Sequence, residues 1–299
     1  MDLISALLIA LSAILASCRN LLVRNISDIK FGNRAFYFLQ AALFGAGALA
    51  LIIVDGKSLL SVAPITVIYA LIYAVMLVST QWCYTFALGI SGQIGICATV
   101  MSLGFIFPTM AGMIFWSEQA SALKMVGIGF AICTVVVSGM TKKGNAETGS
   151  AQENGKKRTK FIIPLVLSMI SSGGLGIIQK LQQKSGFGEQ KGAFVIISFV
   201  VAAAISLLFA LTCGKRQEKA ARGKLIAAVG AGICFGVANL LNTSLAGTLD
   251  GAIFFPTLNI SAIFLSLALS IIIFKERFTV KHACVIALGA ASILLISLF

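Results

Sequence analysis

The stretch Trp116-Ser117-Glu118-Gln119 is followed by an apolar run of helix length, and Phe274-Lys275-Glu276-Arg277 is followed by another. The two acids stand 276 − 118 = 158 residues apart. Holding that offset sets Gln81 against Asn239, Thr85 against Thr243, Thr99 against Thr257 and Lys124 against His282. An internal repeat in a strongly apolar chain is the mark of membrane transporters built from two related helix bundles around a central site.

Composition agrees. Of 299 residues 59% are hydrophobic and only 11% charged, where a soluble domain carries about 25% charged. Mean hydropathy is +1.00 and the pI near 9.7. The net charge of +13 is spread between apolar spans and forms no continuous face. It reads as a topology signal for a lipid bilayer and excludes nucleic acid as the partner.

A helix needs about 20 apolar residues to cross the hydrocarbon core. Ten such spans are expected, over 2–23, 32–54, 61–87, 90–116, 119–140, 161–183, 192–213, 224–246, 250–274 and 278–299. The expected fold class is therefore an all-α integral membrane protein. Residues 141–160 form a basic polar linker between a first five-helix repeat, 1–140, and a second, 161–299. An odd number of crossings per repeat places the two repeats upside down relative to each other.

Loops after odd-numbered spans, with their flanks, hold 17 of the lysines and arginines, from Arg24 to Lys281. Those after even-numbered spans hold 4: Lys57, Lys124, Lys184 and Lys191. The positive-inside bias then sets the odd loops in the cytoplasm of a multi-pass cytoplasmic-membrane protein, with both termini outside. Leu15-Ala16-Ser17-Cys18 resembles a lipoprotein cleavage box, but Asp2 stands where a signal peptide wants Lys or Arg. A first transmembrane helix is the expectation. The seven cysteines lie in apolar runs without C-x-x-C spacing, so no disulfide framework or metal site is indicated.

Phe86-Ala87-Leu88, Pro108, Trp116-Ser117-Glu118, Gly127 and Gly139 resemble the pattern of EamA-like transporters of the drug/metabolite superfamily. The second half repeats it with Leu245-Ala246, Phe274-Lys275-Glu276-Arg277 and Gly289. The resemblance covers nearly the whole chain and implies ten helices in two inverted halves that move small metabolites. Two positions depart from the pattern. The usual Gly before the Glu is Ser117 or Lys275, and Pro108 is matched by Ser266. The family's termini are cytoplasmic, opposite to the charge count.

Glu118 and Glu276 each precede a helix, where a carboxylate complements the exposed N–H groups and Ser117 can cap; a proton-coupling acid is the other reading. No Asp or Glu lies at the centre of a span, which disfavours exchange of cationic drugs for protons. Arg19 and Asn20 end the first span, and Gln179 and Lys180 hold a similar place in the sixth, since 180 − 20 = 160. Snorkelling to the headgroups explains Arg19, whereas Lys180 lies where positive charge is sparse and suits an anion equally well. Ser171-Ser172-Gly173-Gly174-Leu175-Gly176 either breaks the sixth span or lets a neighbour approach.

Gln81, Tyr84 and Thr85 share one helix face, and Asn239, Asn242 and Thr243 share the matching one. Lipid cannot satisfy amides, so these groups pair across helices or line a cavity. Trp82, Gln93 and Asn259 complete the candidate lining. The candidate substrate-binding set is thus Arg19, Asn20, Gln81, Trp82, Tyr84, Gln93, Lys180, Asn239, Asn242 and Asn259. His282 has no catalytic partner at motif spacing and no nucleotide or hydrolase motif occurs, so neither an enzyme nor a cofactor is expected. The leading expectation is a secondary transporter of a small polar metabolite, anionic or zwitterionic. The alternative is a non-transporting helical module, a receptor or assembly subunit.

Overall fold

Helix α1 (Leu3–Arg24) states the rule on which the chain is built. Leu3, Ile4, Leu7, Leu11 and Ile14 face outward, Leu3 with 76% of its surface exposed, while Ser5, Ser12, Ser17, Arg19 and Asn20 are buried. In water that helix would be inside out. In hydrocarbon an apolar exterior costs nothing, and polar side chains must find partners within the bundle.

The computed structural model describes residues 3–91, 97, 100–118, 121–139, 151–212, 221–274, 283–284, 287–292 and 295. After α1 come α2 (Arg34–Asp55), α3 (Pro64–Ser91), α4 (Ile106–Phe115), α5 (Ala122–Gly139) and α6 (Ala151–Lys184). They are followed by α7 (Lys191–Thr212), α8 (Arg222–Thr248) and α9 (Gly251–Phe274). Asn33 caps α2 by accepting from the Ala35 amide at 3.3 Å, and Pro64 opens α3, where its missing N–H costs nothing. Among the described residues every regular element is helical, and 6 helices are long and apolar enough to cross a membrane. Val100–Phe115, Met125–Thr134 and Gly251–Ala262 are shorter apolar helices. These are the properties of a helical membrane protein.

Two details depart from the sequence reading. Helix α6 starts at Ala151, inside the stretch expected to be linker, because its Gln, Glu, Lys and Arg residues are good helix formers that extend the apolar segment backward. Helix α5 starts at Ala122 instead of directly after Glu118, and Ser117 has a left-handed φ of 51°. Of the two readings of the 171–176 glycines, close approach is the one seen, for α6 runs through them unbroken. They admit neighbours: a Cβ on Gly173 would meet the Gly104 carbonyl at 2.7 Å, and one on Gly176 would meet Pro108 at 2.8 Å. Pro256 likewise leaves α9 continuous. The tenth expected span falls mostly outside the described residues.

Helices α2 and α7 pack side by side. Helix α1 lies along α8 and α9, and α6 lies along α3 and α4. Helix α8 reaches α2, and α3 reaches α7. The main core holds Phe36, Phe44, Tyr73, Phe194 and Phe199, all essentially fully buried. Gly232 and Gly236 let α8 press its backbone onto α2, beside Leu43 and Gly47, where no side chain would fit.

Candidate solute-binding site

Two polar clusters cross the bundle, both threaded by α3. Tyr73 and Gln81, eight positions apart, anchor one each, roughly 12 Å apart at 1.5 Å per helical residue.

The first is built on Arg19. Its side chain does not reach a headgroup, as snorkelling would require; only 5% of the residue is exposed. One guanidinium nitrogen, Nη2, donates to Gln81 Oε1, and Nη1 lies 3.5 Å from Asn20 Oδ1. The guanidinium sits over the Phe235 ring, 4.1 Å from its centroid, and 5.6 Å from that of Tyr84. Gln81 also donates to Thr85 Oγ1 at 3.1 Å, as does Gln40 at 3.3 Å. No carboxylate among the described residues pairs with Arg19. Arg19 Nε, the Tyr84 hydroxyl and Gln40 Oε1 are buried without any hydrogen-bond partner. Such orphaned groups are costly, more so beside an uncompensated charge.

The second cluster is closed on itself. Gln179 on α6 donates to the Tyr73 hydroxyl at 2.8 Å and to Thr243 Oγ1 at 3.1 Å. Tyr73 in turn donates to Asn239 Oδ1, and Asn239 Nδ2 donates to the Phe235 carbonyl at 2.8 Å. One residue on, Lys180 is 1% exposed and ion-paired with Glu118, its ammonium 5.6 Å from the centroid of the Trp116 ring. The same carboxylate accepts from the Ala252 amide at 3.3 Å. Glu118 therefore caps the N-terminus of α9, across the bundle. No buried polar atom of Tyr73, Gln179, Lys180, Asn239 or Thr243 lacks a partner.

Of the ten expected site residues, Arg19, Asn20, Gln81 and Tyr84 come together. Asn239 joins the closed cluster and Lys180 stands beside it, neutralised by Glu118. Asn242 accepts from the Ser12 hydroxyl at 2.6 Å. Asn259 donates to the Phe255 carbonyl of its own helix at 2.8 Å. Trp82 points away, into an aromatic group with Tyr37 at 4.9 Å and Phe209 at 5.2 Å between centroids. Gln93 lies outside the described residues. Gln40, Tyr73 and Phe235 were missed; an amide or phenol inside an apolar span was the available signal for the first two. The groove between α4 and α5, lined by Ile106, Met110, Met113, Met125 and Ile128, is apolar apart from Thr109.

No family model matches the chain, and no curated protein matches it. Solved structures share its fold. One, described only as the crystal structure of a protein, superposes with a TM-score of 0.73 at 16% identity, over 99% of this chain and 98% of its own. At that identity the likeness speaks of fold alone.

Proposed function

We propose that the chain is a secondary transporter of the EamA-like kind, moving a small polar anionic or zwitterionic metabolite across the cytoplasmic membrane by alternating access. Its ten spans form two inverted five-helix repeats. The packing supports this: under the 158-residue offset α1 matches α6, α3 matches α8 and α4 matches α9. The contacts of α1 with α8 and α9 then mirror those of α6 with α3 and α4. Each polar cluster takes one aromatic ring from the other half, Phe235 at Arg19 and Tyr73 at Gln179. Rocking one half against the other would loosen one cluster while the other holds.

The observation that carries the reading is Arg19, a buried cation lacking an acidic partner among the described residues. A charge held in hydrocarbon without structural compensation marks a solute pathway. Flux into proteoliposomes tests it. Radiolabelled anionic or zwitterionic metabolites should exchange across the bilayer, and Arg19→Gln should lower the rate about 10- to 100-fold, the worth of a charged hydrogen bond. Absence of any exchange would leave the second reading, a non-transporting receptor or assembly module. The closed Gln179–Tyr73–Asn239–Thr243 network favours that alternative, since it uses its amides wholly for helix-to-helix bonds.

A further inference from the structure

We infer that the Nε edge of the Arg19 guanidinium is the docking point for a carboxylate group on the solute, with the Tyr84 hydroxyl as a second donor. The inference rests on the transport reading for its purpose, but it concerns which chemistry the site accepts.

The geometry narrows the choice in three steps. The guanidinium lies over the Phe235 ring, so that face is covered and recognition must occur in its plane. In that plane Nη2 serves Gln81 and Nη1 faces Asn20, while Nε–H has no partner. Nε and Nη2 lie along one edge of the fork, the pairing that grips a planar carboxylate through two parallel hydrogen bonds. Tyr84, fully buried beside Arg19, has a hydroxyl with no partner and can donate to the same group.

Charge favours a monoanion such as a carboxylate over a phosphate dianion. The cluster supplies one fixed positive charge; its other polar members, Asn20, Gln40, Gln81, Tyr84 and Thr85, are neutral, and Lys180 is already matched by Glu118. A monoanion neutralises the site. A phosphate dianion would leave a net negative charge in a low-dielectric interior, which is strongly unfavourable. The free Gln40 Oε1 adds an acceptor for a hydroxyl or ammonium on the same solute.

The test is equilibrium binding, so that it can fail independently of transport. Full-length protein in detergent is heated with lactate, benzoate, indole-3-acetate, alanine or phenylalanine, each beside its primary amide, and with inorganic phosphate. At least one carboxylate should raise the melting temperature with rising concentration, whereas its amide and phosphate should not. Arg19→Lys, which keeps the charge and loses the fork, should weaken that carboxylate at least tenfold, and Arg19→Gln should abolish the shift. Should the variants fail to fold, the wild-type protein still answers. Phenylglyoxal modification of Arg19, read by peptide mass spectrometry, should slow several-fold with the carboxylate and remain unchanged with the amide. Equal responses to acid and amide, a stronger response to phosphate, no response to any compound, or a carboxylate shift that survives Arg19→Gln would each overturn the assignment. Carboxylate binding without flux would instead remove the transport reading and leave this one standing.

Discussion

Arg19 and Lys180 occupy related places in the two halves, yet their surroundings differ in kind. Each cation has an amide beside it in sequence, in swapped order: Arg19-Asn20 on α1, Gln179-Lys180 on α6. Around Lys180 the protein supplies its own anion, Glu118, and the neighbouring amides are fully used. Around Arg19 it supplies aromatic faces and carbonyl oxygens but, among the described residues, no acid, and three buried polar atoms are left over. Under the proposed repeat, related positions set where polar groups enter the bundle, while a third residue from elsewhere decides whether the cluster is finished. Lys180 is part of the scaffold; Arg19 is an unfinished half of an interaction.

The contrast can be broken most directly at the ion pair. Glu118→Gln leaves a buried ammonium unpaired and is expected to cost about 3–5 kcal/mol in detergent unfolding, with most of the loss recovered in Glu118→Gln/Lys180→Met. Arg19→Met, by contrast, removes a charge that no carboxylate among the described residues neutralises; it takes a donor from Gln81 Oε1 and should cost clearly less than Lys180→Met. If Arg19→Met falls as far as Lys180→Met, the two sites are alike and the comparison fails.

The tyrosines sharpen it at smaller amplitude. Tyr73→Phe deletes a hydroxyl that joins Gln179 to Asn239 and should cost about 1–3 kcal/mol. Tyr84→Phe deletes an unpartnered hydroxyl and should move stability by about 0.5 kcal/mol or less, while weakening solute binding. Equal losses would show that Tyr84 is structural. A modest gain is expected at Ser117, whose φ of 51° suits glycine. Ser117→Gly should add roughly 0.5–1 kcal/mol by removing left-handed strain, less the entropy glycine brings; thermal unfolding reads it.

Much of the bundle was legible because hydrocarbon imposes simple demands. The apolar spans 2–23, 32–54, 61–87, 161–183, 192–213 and 224–246 lie within a few residues of the long helices, and the amides at 81 and 239 had to turn inward. What stayed hidden was long-range. Local helix-end logic assigned Glu118 to the following helix, whereas its partners are Lys180, 62 positions away, and the amide of Ala252. Trp82 entered the candidate set through its neighbour Gln81, although consecutive helical residues point about 100° apart, and it packs elsewhere. Asn259 meets its own i−4 carbonyl, a bond that sequence spacing permits but cannot select. Gln40 and Tyr73 were single polar groups in apolar runs, opposite only Ser198 and Ala231 under the 158-residue offset.

The comparison between the clusters holds meaning only if the halves are inverted copies of each other. Single cysteines introduced at Gln119 and at Arg277 in a cysteine-free background, probed in intact cells with a membrane-impermeant maleimide, test that relation. The account predicts labelling at 119 from outside and at 277 only after the membrane is opened. Both positions reacting from the same side would contradict it.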